Sequence, residues 1–268
     1  MPVTENPCCM ACTGMGQQGV ERMDLLSAVA AGKRLFRRQT LEDADLREAD
    51  LTDVVIKHST FTNCDFHRAN LIGCRLEDCT FVNCRFSDAD LSECQFTRCT
   101  FYAPDQPCSF VHADVRHSKW EECDVRLCTF EKAKFLRAYW HQVNATGAIF
   151  FRTEFQRSVT FKECNFSLAD LRDADLRKCD LSKCDFSQAD LREAQLKEAN
   201  LVTCNFAGTN MIHAQIQGAD LRGANIASFD VRQLDMTDVK LYEAQTKDIA
   251  KGLGIKLFEH PLLASEDM

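Results

Sequence analysis

From Leu41 onward the chain places an apolar side chain at every fifth residue. One unbroken run goes Leu41, Leu46, Leu51, Ile56, Phe61, Phe66, Leu71, Leu76, Phe81, Phe86, Leu91, Phe96 and Phe101. A second goes from Phe110 through Trp120, Val125, Phe130, Phe135 and Trp140 to Phe155, with Ala145 as its one weak member. A third starts at Phe161 and ends at Leu241. Two residues before each central position sits a small residue, mostly Ala or Cys. Five fits neither the 3.6-residue period of a helix nor the alternation of a flat strand. It fits a chain that turns a corner every five residues and sends one large and one small side chain inward each time. The residue before the large one is often Asp or Asn, as in Ala44-Asp45-Leu46-Arg47 and Ala219-Asp220-Leu221-Arg222. Such short polar side chains bond nearby backbone and hold turns.

This A(D/N)LXX pattern resembles the pentapeptide-repeat family. The resemblance implies an all-β solenoid, a right-handed quadrilateral β-helix with four repeats to each coil, over residues 41–241. Residues twenty apart then lie one above another, so Trp120 is expected over Trp140, Phe81 over Phe101 and Phe130 over Phe150. At about 4.8 Å per coil, the forty or so central positions make about ten coils and a rod roughly 48 Å long.

The flanks follow from the same pattern. Val20 to Ala31 predicts a helix, with Val20, Met23, Leu26, Val29 and Ala30 as its apolar stripe and Gly32 as its stop. Residues 20–40 are thus expected to form an N-terminal cap, and residues 1–19 a mobile segment. Near the other end Phe229, Leu234 and Val239 fill the small inward slot, where they are too large for a regular coil. The solenoid is expected to open there into a cap, followed by a helix around Gln245 to Lys251 within residues 242–268. This end is similar to that of the Qnr-like pentapeptide proteins, matching at Val239, Lys240, Gln245, Leu253 and Gly254. The resemblance implies a homodimer joined end to end, with Phe229, Leu234, Val239, Leu241, Gln245, Ile249 and Leu253 as its cap residues.

The period breaks in three places. Phe101 to Phe110 spans nine residues, so Tyr102 to Ser109 is expected to leave the wall as a loop. Tyr102, Pro104, Asp105 and Gln106 are its candidate partner-binding residues, since solenoid function concentrates in such loops. Around Tyr139 to Phe151, two aromatic residues fall at outward positions. A single extra residue between Phe155 and Phe161 predicts a bulge.

Composition bounds the function. The net charge of −8 has the wrong sign for holding nucleic acid by phosphate neutralisation. Residues 41–101 carry twelve acidic and six basic side chains, 102–160 seven and eight, and 161–241 thirteen and ten. No stretch approaches the length of a membrane span, Met1 to Gly14 lacks the pattern of a secretory signal, and the expected compartment is the cytoplasm. Of the sixteen cysteines, thirteen sit in the small inward slot, where cysteine acts as a buried hydrophobe. Cys8, Cys9 and Cys12 hold one CxxC, half of what a structural zinc site requires. Six of the histidines, His58, His67, His112, His117, His141 and His213, fall at outward repeat positions, and nothing gathers a nucleophile and base into one concavity. No enzyme, cofactor or metal site is expected.

Two function classes remain. One is a bacterial protein-binding scaffold or accessory protein; Met23 to Gly32 is similar to the lead-in of pentapeptide proteins encoded with type VI secretion systems. The other is DNA mimicry, which the Qnr-like resemblance implies: binding to DNA gyrase or topoisomerase IV and protection against quinolones. The near-neutral middle third and the outward arginines count against a phosphate mimic.

Overall fold

A computed structural model describes residues 25–257 except 154, 156 and 157. The N-terminal segment 1–19, Cys8, Cys9 and Cys12, the first part of the expected cap helix and residues 258–268 lie outside the described residues.

Residues 25–30 are helical (α1), and Gly32 ends the turn with φ of +90°. The chain then enters a parallel β-solenoid. One wall is a seven-stranded sheet made of β1 (Leu35–Arg37), β3 (Val55–Lys57), β5 (Arg75–Glu77), β7 (Gln95–Thr97), β8 (Lys119–Glu121), β9 (Tyr139–His141) and β10 (Thr160–Lys162). The next wall begins as β2 (Thr40–Glu42), β4 (Thr60–Thr62) and β6 (Thr80–Val82). Phe36 pairs with Ile56, so the first coil already starts within residues 20–40. Seven successive coils, six turns from first to last, therefore carry extended strands on the first wall. Beyond β10 its ladder continues as single bridges, Thr160↔Asp180, Asp180↔Asn200, Asn200↔Asp220 and Asp220↔Lys240.

The expected stacking is present. Phe61, Phe81 and Phe101 form one column at 4.9 and 4.8 Å between centroids, and Phe110, Phe130 and Phe150 lie in another at 4.7 and 5.2 Å. Trp140 lies over Trp120 with centroids 5.3 Å apart and the rings tilted by 37°. Ala145 is explained by these indoles. The second-wall column narrows to Val125 and Ala145 at the two coils in which the first wall carries Trp120 and Trp140. The interior is close-packed, so a larger residue on one wall requires a smaller one beside it.

The small slot has its own chemistry. Cys74 Sγ donates to Leu51 O at 2.9 Å, Cys94 to Leu71 O at 3.0 Å and Cys204 to Leu181 O at 3.0 Å. Thr153 and Thr209 hydroxyls make the same bond, to Phe130 O and Phe186 O. Cysteine thus fills the volume of alanine and gives a second donor to a carbonyl of the coil before. Burial lifts the Cys204 thiol to about 12, and at neutral pH it stays a thiol.

Corners are left-handed. Arg38, Asn63, Asp88, Leu127 and Leu168 all have φ between 50° and 60° without being glycine. A non-glycine residue in this region costs about 1 kcal/mol; the corner N–H, as in Asn63 N to Val82 O at 2.9 Å, is tied to the next coil in return.

Candidate protein-interaction surface

The loop after Phe101 is tied at both ends. Gln106 N donates to Ala103 O at 3.0 Å and Cys108 N to Phe101 O at 3.1 Å, closing it on itself. Asn83 N donates to Gln106 O at 3.1 Å, so the loop also supplies the corner acceptor that a regular coil would. Pro104, Asp105 and Gln106 are exposed, and Asp105 takes the left-handed turn position. Tyr102 lies against the wall with the Arg126 guanidinium 4.2 Å from its ring centre. The loop is therefore a short, anchored projection.

The middle coils carry several exposed apolar side chains; Leu35 and Ile212 are exposed nearer the ends. Leu127, Ile149 and Leu168 are exposed. Phe151 is half-buried between the guanidinium groups of Arg152 at 4.9 Å and Arg172 at 5.1 Å. A shallow cavity of about 260 Å³ beside it is lined by Arg172, Asp173, Arg192 and Glu193. Tyr139 has Lys119 Nζ 5.8 Å above its ring.

Charge on the walls is arranged in rungs. In Asp114-Val115-Arg116 the aspartate accepts from the Arg116 backbone N–H and from its guanidinium, at 3.2 and 2.5 Å. The same unit recurs at Asp45/Arg47, Asp124/Arg126, Asp170/Arg172, Asp175/Arg177, Asp190/Arg192, Asp220/Arg222 and Asp230/Arg232. Burial would raise the Asp114 carboxyl, but the hydrogen bonds from Arg116 outweigh it and hold that group below the usual carboxylate range. At Asp220 the Arg222 hydrogen bond leads and has the same effect. Each rung presents a locally neutral pair to solvent.

The predicted cap residues divide into two sets. Phe229 and Leu234 are buried, with Val239, Leu241 and Ile249 packed partly against the same core. Gln245 is buried too, at the end of a 3-10 turn, Glu243–Gln245, that leads into α2, Thr246–Gly252. Its amide satisfies four backbone groups. Nε2 donates to Leu221 O and Ala224 O, both at 2.9 Å, while Oε1 accepts from Gly223 N at 3.0 Å and Tyr242 N at 2.8 Å. Gln245 thus seals its own solenoid. The residues this end offers outward are Leu253, which the sequence had singled out, and Tyr242, Ile255 and Leu257, which it had not; all four are exposed.

Among the described residues no three side chains of His, Cys, Asp or Glu gather in a way that would hold a metal ion, and no helix is long and apolar enough to cross a membrane. His58, His67 and His141 each face a single carboxylate, Asp78, Asp88 and Glu163, at 3.5 to 3.7 Å.

No curated protein sequence matches the chain significantly. Among solved structures it is similar to QnrB1, a plasmid-mediated fluoroquinolone resistance protein. A trypsin-treated arginine-to-glutamate variant of QnrB1 shares 24% identity and a TM-score of 0.70, over 84% of this chain and 100% of that one. A trypsin-treated methionine-to-arginine variant shares 25% identity and a TM-score of 0.68, over 83% and 99%. Full-length QnrB1 gives 24%, 0.67, 82% and 100%. A model of the pentapeptide repeat region matches residues 35–105 and 174–250, and a model of eight pentapeptide repeats matches residues 148–188. With more than half of its length accounted for in this way, the chain belongs to the pentapeptide-repeat family.

Proposed function

We propose that this chain is a non-enzymatic protein-binding rod, a scaffold or accessory protein of the bacterial cytoplasm. The observation that carries this reading is the set of Asp-x-Arg rungs. A wall meant to stand in for a DNA backbone needs rows of uncompensated negative charge; here the outward aspartates of eight such units are matched by an arginine two residues on. Neutral rungs with exposed Leu and Ile between them suit a protein partner. An association with type VI secretion would rest on Met23 to Gly32 alone.

A second reading, a Qnr-like mimic that binds DNA gyrase or topoisomerase IV, is favoured by the likeness to QnrB1 along most of the chain and by the projecting loop. Gyrase supercoiling with and without ciprofloxacin separates the two. The scaffold reading expects no change at micromolar protein; protection of supercoiling against ciprofloxacin would replace it with mimicry.

The C-terminal end supports the homodimer. Tyr242, Leu253, Ile255 and Leu257 form an exposed apolar group just past the sealed last coil. Leu253→Glu with Ile255→Glu should remove end-to-end pairing in sedimentation equilibrium, and an unchanged mass would sink that cap.

A further inference from the structure

The four walls do not share the charge of the chain equally. Beyond its first coil, which carries Glu42 and Asp43, the second wall is the row Thr60, Thr80, Thr100, Asp124, Asn144, Asn165, Asp185, Asn205 and Asn225, an unbroken bridge ladder along the rod. The residues two further on are Thr62, Val82, Tyr102, Arg126, Thr146, Ser167, Ser187, Ala207 and Ala227. Outside the loop, these two rows hold only three charged side chains, Asp124, Arg126 and Asp185. Arg126 is consumed within its own coil, by Asp124 at 2.6 Å and by the face of Tyr102. Asp185 accepts from Ser187 N and Asn205 Nδ2. A chain with 27% charged residues and a net charge of −8 thus keeps one long wall almost free of charge.

The edge of this wall carries two exposed leucines. Its left-handed corner residues in three successive coils are Leu127, Gly147 and Leu168. Both leucines are exposed, at 45% and 58%. Gly147 lies between them, and the Leu127 side chain reaches over it, its Cδ2 2.6 Å from where a side chain at Gly147 would begin. The two leucines thus stand one coil to either side of Gly147 and the row of Asn144.

We infer that the second wall is an interface for a second copy of this chain, packed face to face and antiparallel about a two-fold axis near Asn144 and Gly147. Such an axis, lying across the rod, brings the same edge of each copy together. Leu127 then meets Leu168 of the second copy, and Leu168 meets Leu127. This self-complementarity is what an isologous contact requires. Nine rows at about 4.8 Å and a wall about five residues wide give a face of roughly 40 by 15 Å. With side-chain relief this approaches the ~800 Å² per partner of a standard interface. On the first wall, with Arg75, Glu77, Lys119, Glu121 and Lys162, two copies would confront dense charge on rods that repel through their net −8; on the second wall depletion of charge matches an interface core. The lateral contact is separate from the C-terminal end.

Short-range cross-linking in a Cys8→Ser, Cys9→Ser, Cys12→Ser background tests it, since the other thirteen thiols are buried. Asn144→Cys, next to the axis, should give covalent dimers with a short bismaleimide, whereas Asn225→Cys, far from it, should not. Leu127→Cys and Leu168→Cys together should cross-link, and each alone should not. Leu127→Glu with Leu168→Glu should weaken self-association at least tenfold in sedimentation equilibrium while far-UV circular dichroism stays the same. Leu253→Glu with Ile255→Glu must leave the Asn144→Cys cross-link intact, which separates this interface from end-to-end pairing. A single-chain mass for the unaltered protein at several hundred micromolar would overturn the lateral pairing. So would a cross-link at Asn225→Cys in place of Asn144→Cys, or one lost with the C-terminal charges.

Discussion

The first wall changes character halfway along the rod. Up to β10 it is a sheet of three-residue strands; from Asp180 onward the same column is joined by single bridges. The inward residues do not explain this, because Leu76 lies within a strand and Leu181 does not. The residue just before them does. The strands open with Leu35, Thr40, Val55, Thr60, Arg75, Thr80, Gln95, Lys119, Tyr139 and Thr160, and none opens with Asp or Asn. From coil to coil beyond β10 the first wall has Asp180, Asn200 and Asp220. There the side chain accepts from the N–H two residues on, Ser182 N at 3.2 Å, Val202 N at 3.3 Å and Arg222 N at 3.2 Å. An Asx turn of this kind bends the chain and uses a donor that a strand would offer its neighbour. The first wall thus has one inward code throughout and two outward ones. The first makes flat sheet and the second makes closed corners.

The comparison breaks most easily through the aromatic core of the strand-bearing half. Trp140→Ala removes an indole that packs on Trp120, Phe130, Phe135 and Phe161, next to an Ala145 that cannot expand to fill the space. The expected cost is about 3–5 kcal/mol in denaturant unfolding. If solenoid stability is a sum over neighbouring coils, this loss should appear as protection lost from amides of adjacent coils before it reaches the coils near Leu201. Uniform loss of protection along the rod would show that both halves unfold as one unit.

The end of the bridged half depends on one side chain. Gln245→Ala strands Leu221 O, Ala224 O and Gly223 N in a partly buried site, and the expected cost is about 2–3 kcal/mol. Hydrogen exchange should accelerate in the coil around Leu221 while β1 to β10 keep their rates. Unchanged exchange near Leu221 would mean that water replaces the amide at little cost.

A smaller effect sharpens the same contrast within the first wall. Trp120 Nε1 donates to Ser118 Oγ at 2.9 Å, and Ser118 Oγ donates to Val115 O at 2.6 Å. Twenty residues later the slot holds Ala138, and Trp140 Nε1 is buried without a partner. Ala138→Ser should supply the missing acceptor and stabilise the protein by about 1 kcal/mol. Ser118→Ala should lose about as much, by orphaning Trp120. A destabilised Ala138→Ser variant would show that the slot there has no room for the hydroxyl.

Much of this was legible in the chain itself. Period, small slot, twenty-residue stacking and the helix after Gln245 all follow from spacing, because inward positions in a close-packed coil tolerate little else. Phe36 was passed over because the slot two residues before it holds Arg34. The first coil has no coil beneath it, so Arg34 stays at the surface and donates to Val29 O at 2.7 Å. Gln245 was legible as belonging to the cap, but its task depends on which carbonyls the last coil leaves open, and no spacing shows that. The neutral second wall was hidden by counting charge in consecutive thirds, which averages four walls together. Summed instead over every fourth repeat, the same residues separate into charged and uncharged faces.

The outward code can be rewritten at one position, and that change should alter shape more than stability. Asp180 lies directly above Thr160, the first residue of β10. Asp180→Thr removes the acceptor that bends the chain at Ser182, along with the Asn200 Nδ2 bond at 2.8 Å. It introduces a β-branched side chain suited to a pleated surface. The inward Leu181 is untouched, so the net change in stability should stay within about 1 kcal/mol. Residues 180–182 should then pair with β10 as one further strand of the first-wall sheet, seen as strand-like backbone chemical shifts and slowed exchange of the Ser182 amide. Residues 200–202 should keep their corner geometry, because Asn200 still closes its own Asx turn. The converse change, Thr160→Asp, should end the sheet at β9. If residues 180–182 stay bent with threonine in place, the corner is set by the coil beneath rather than by the side chain, and the two halves of the rod differ for a reason that lies in their stacking.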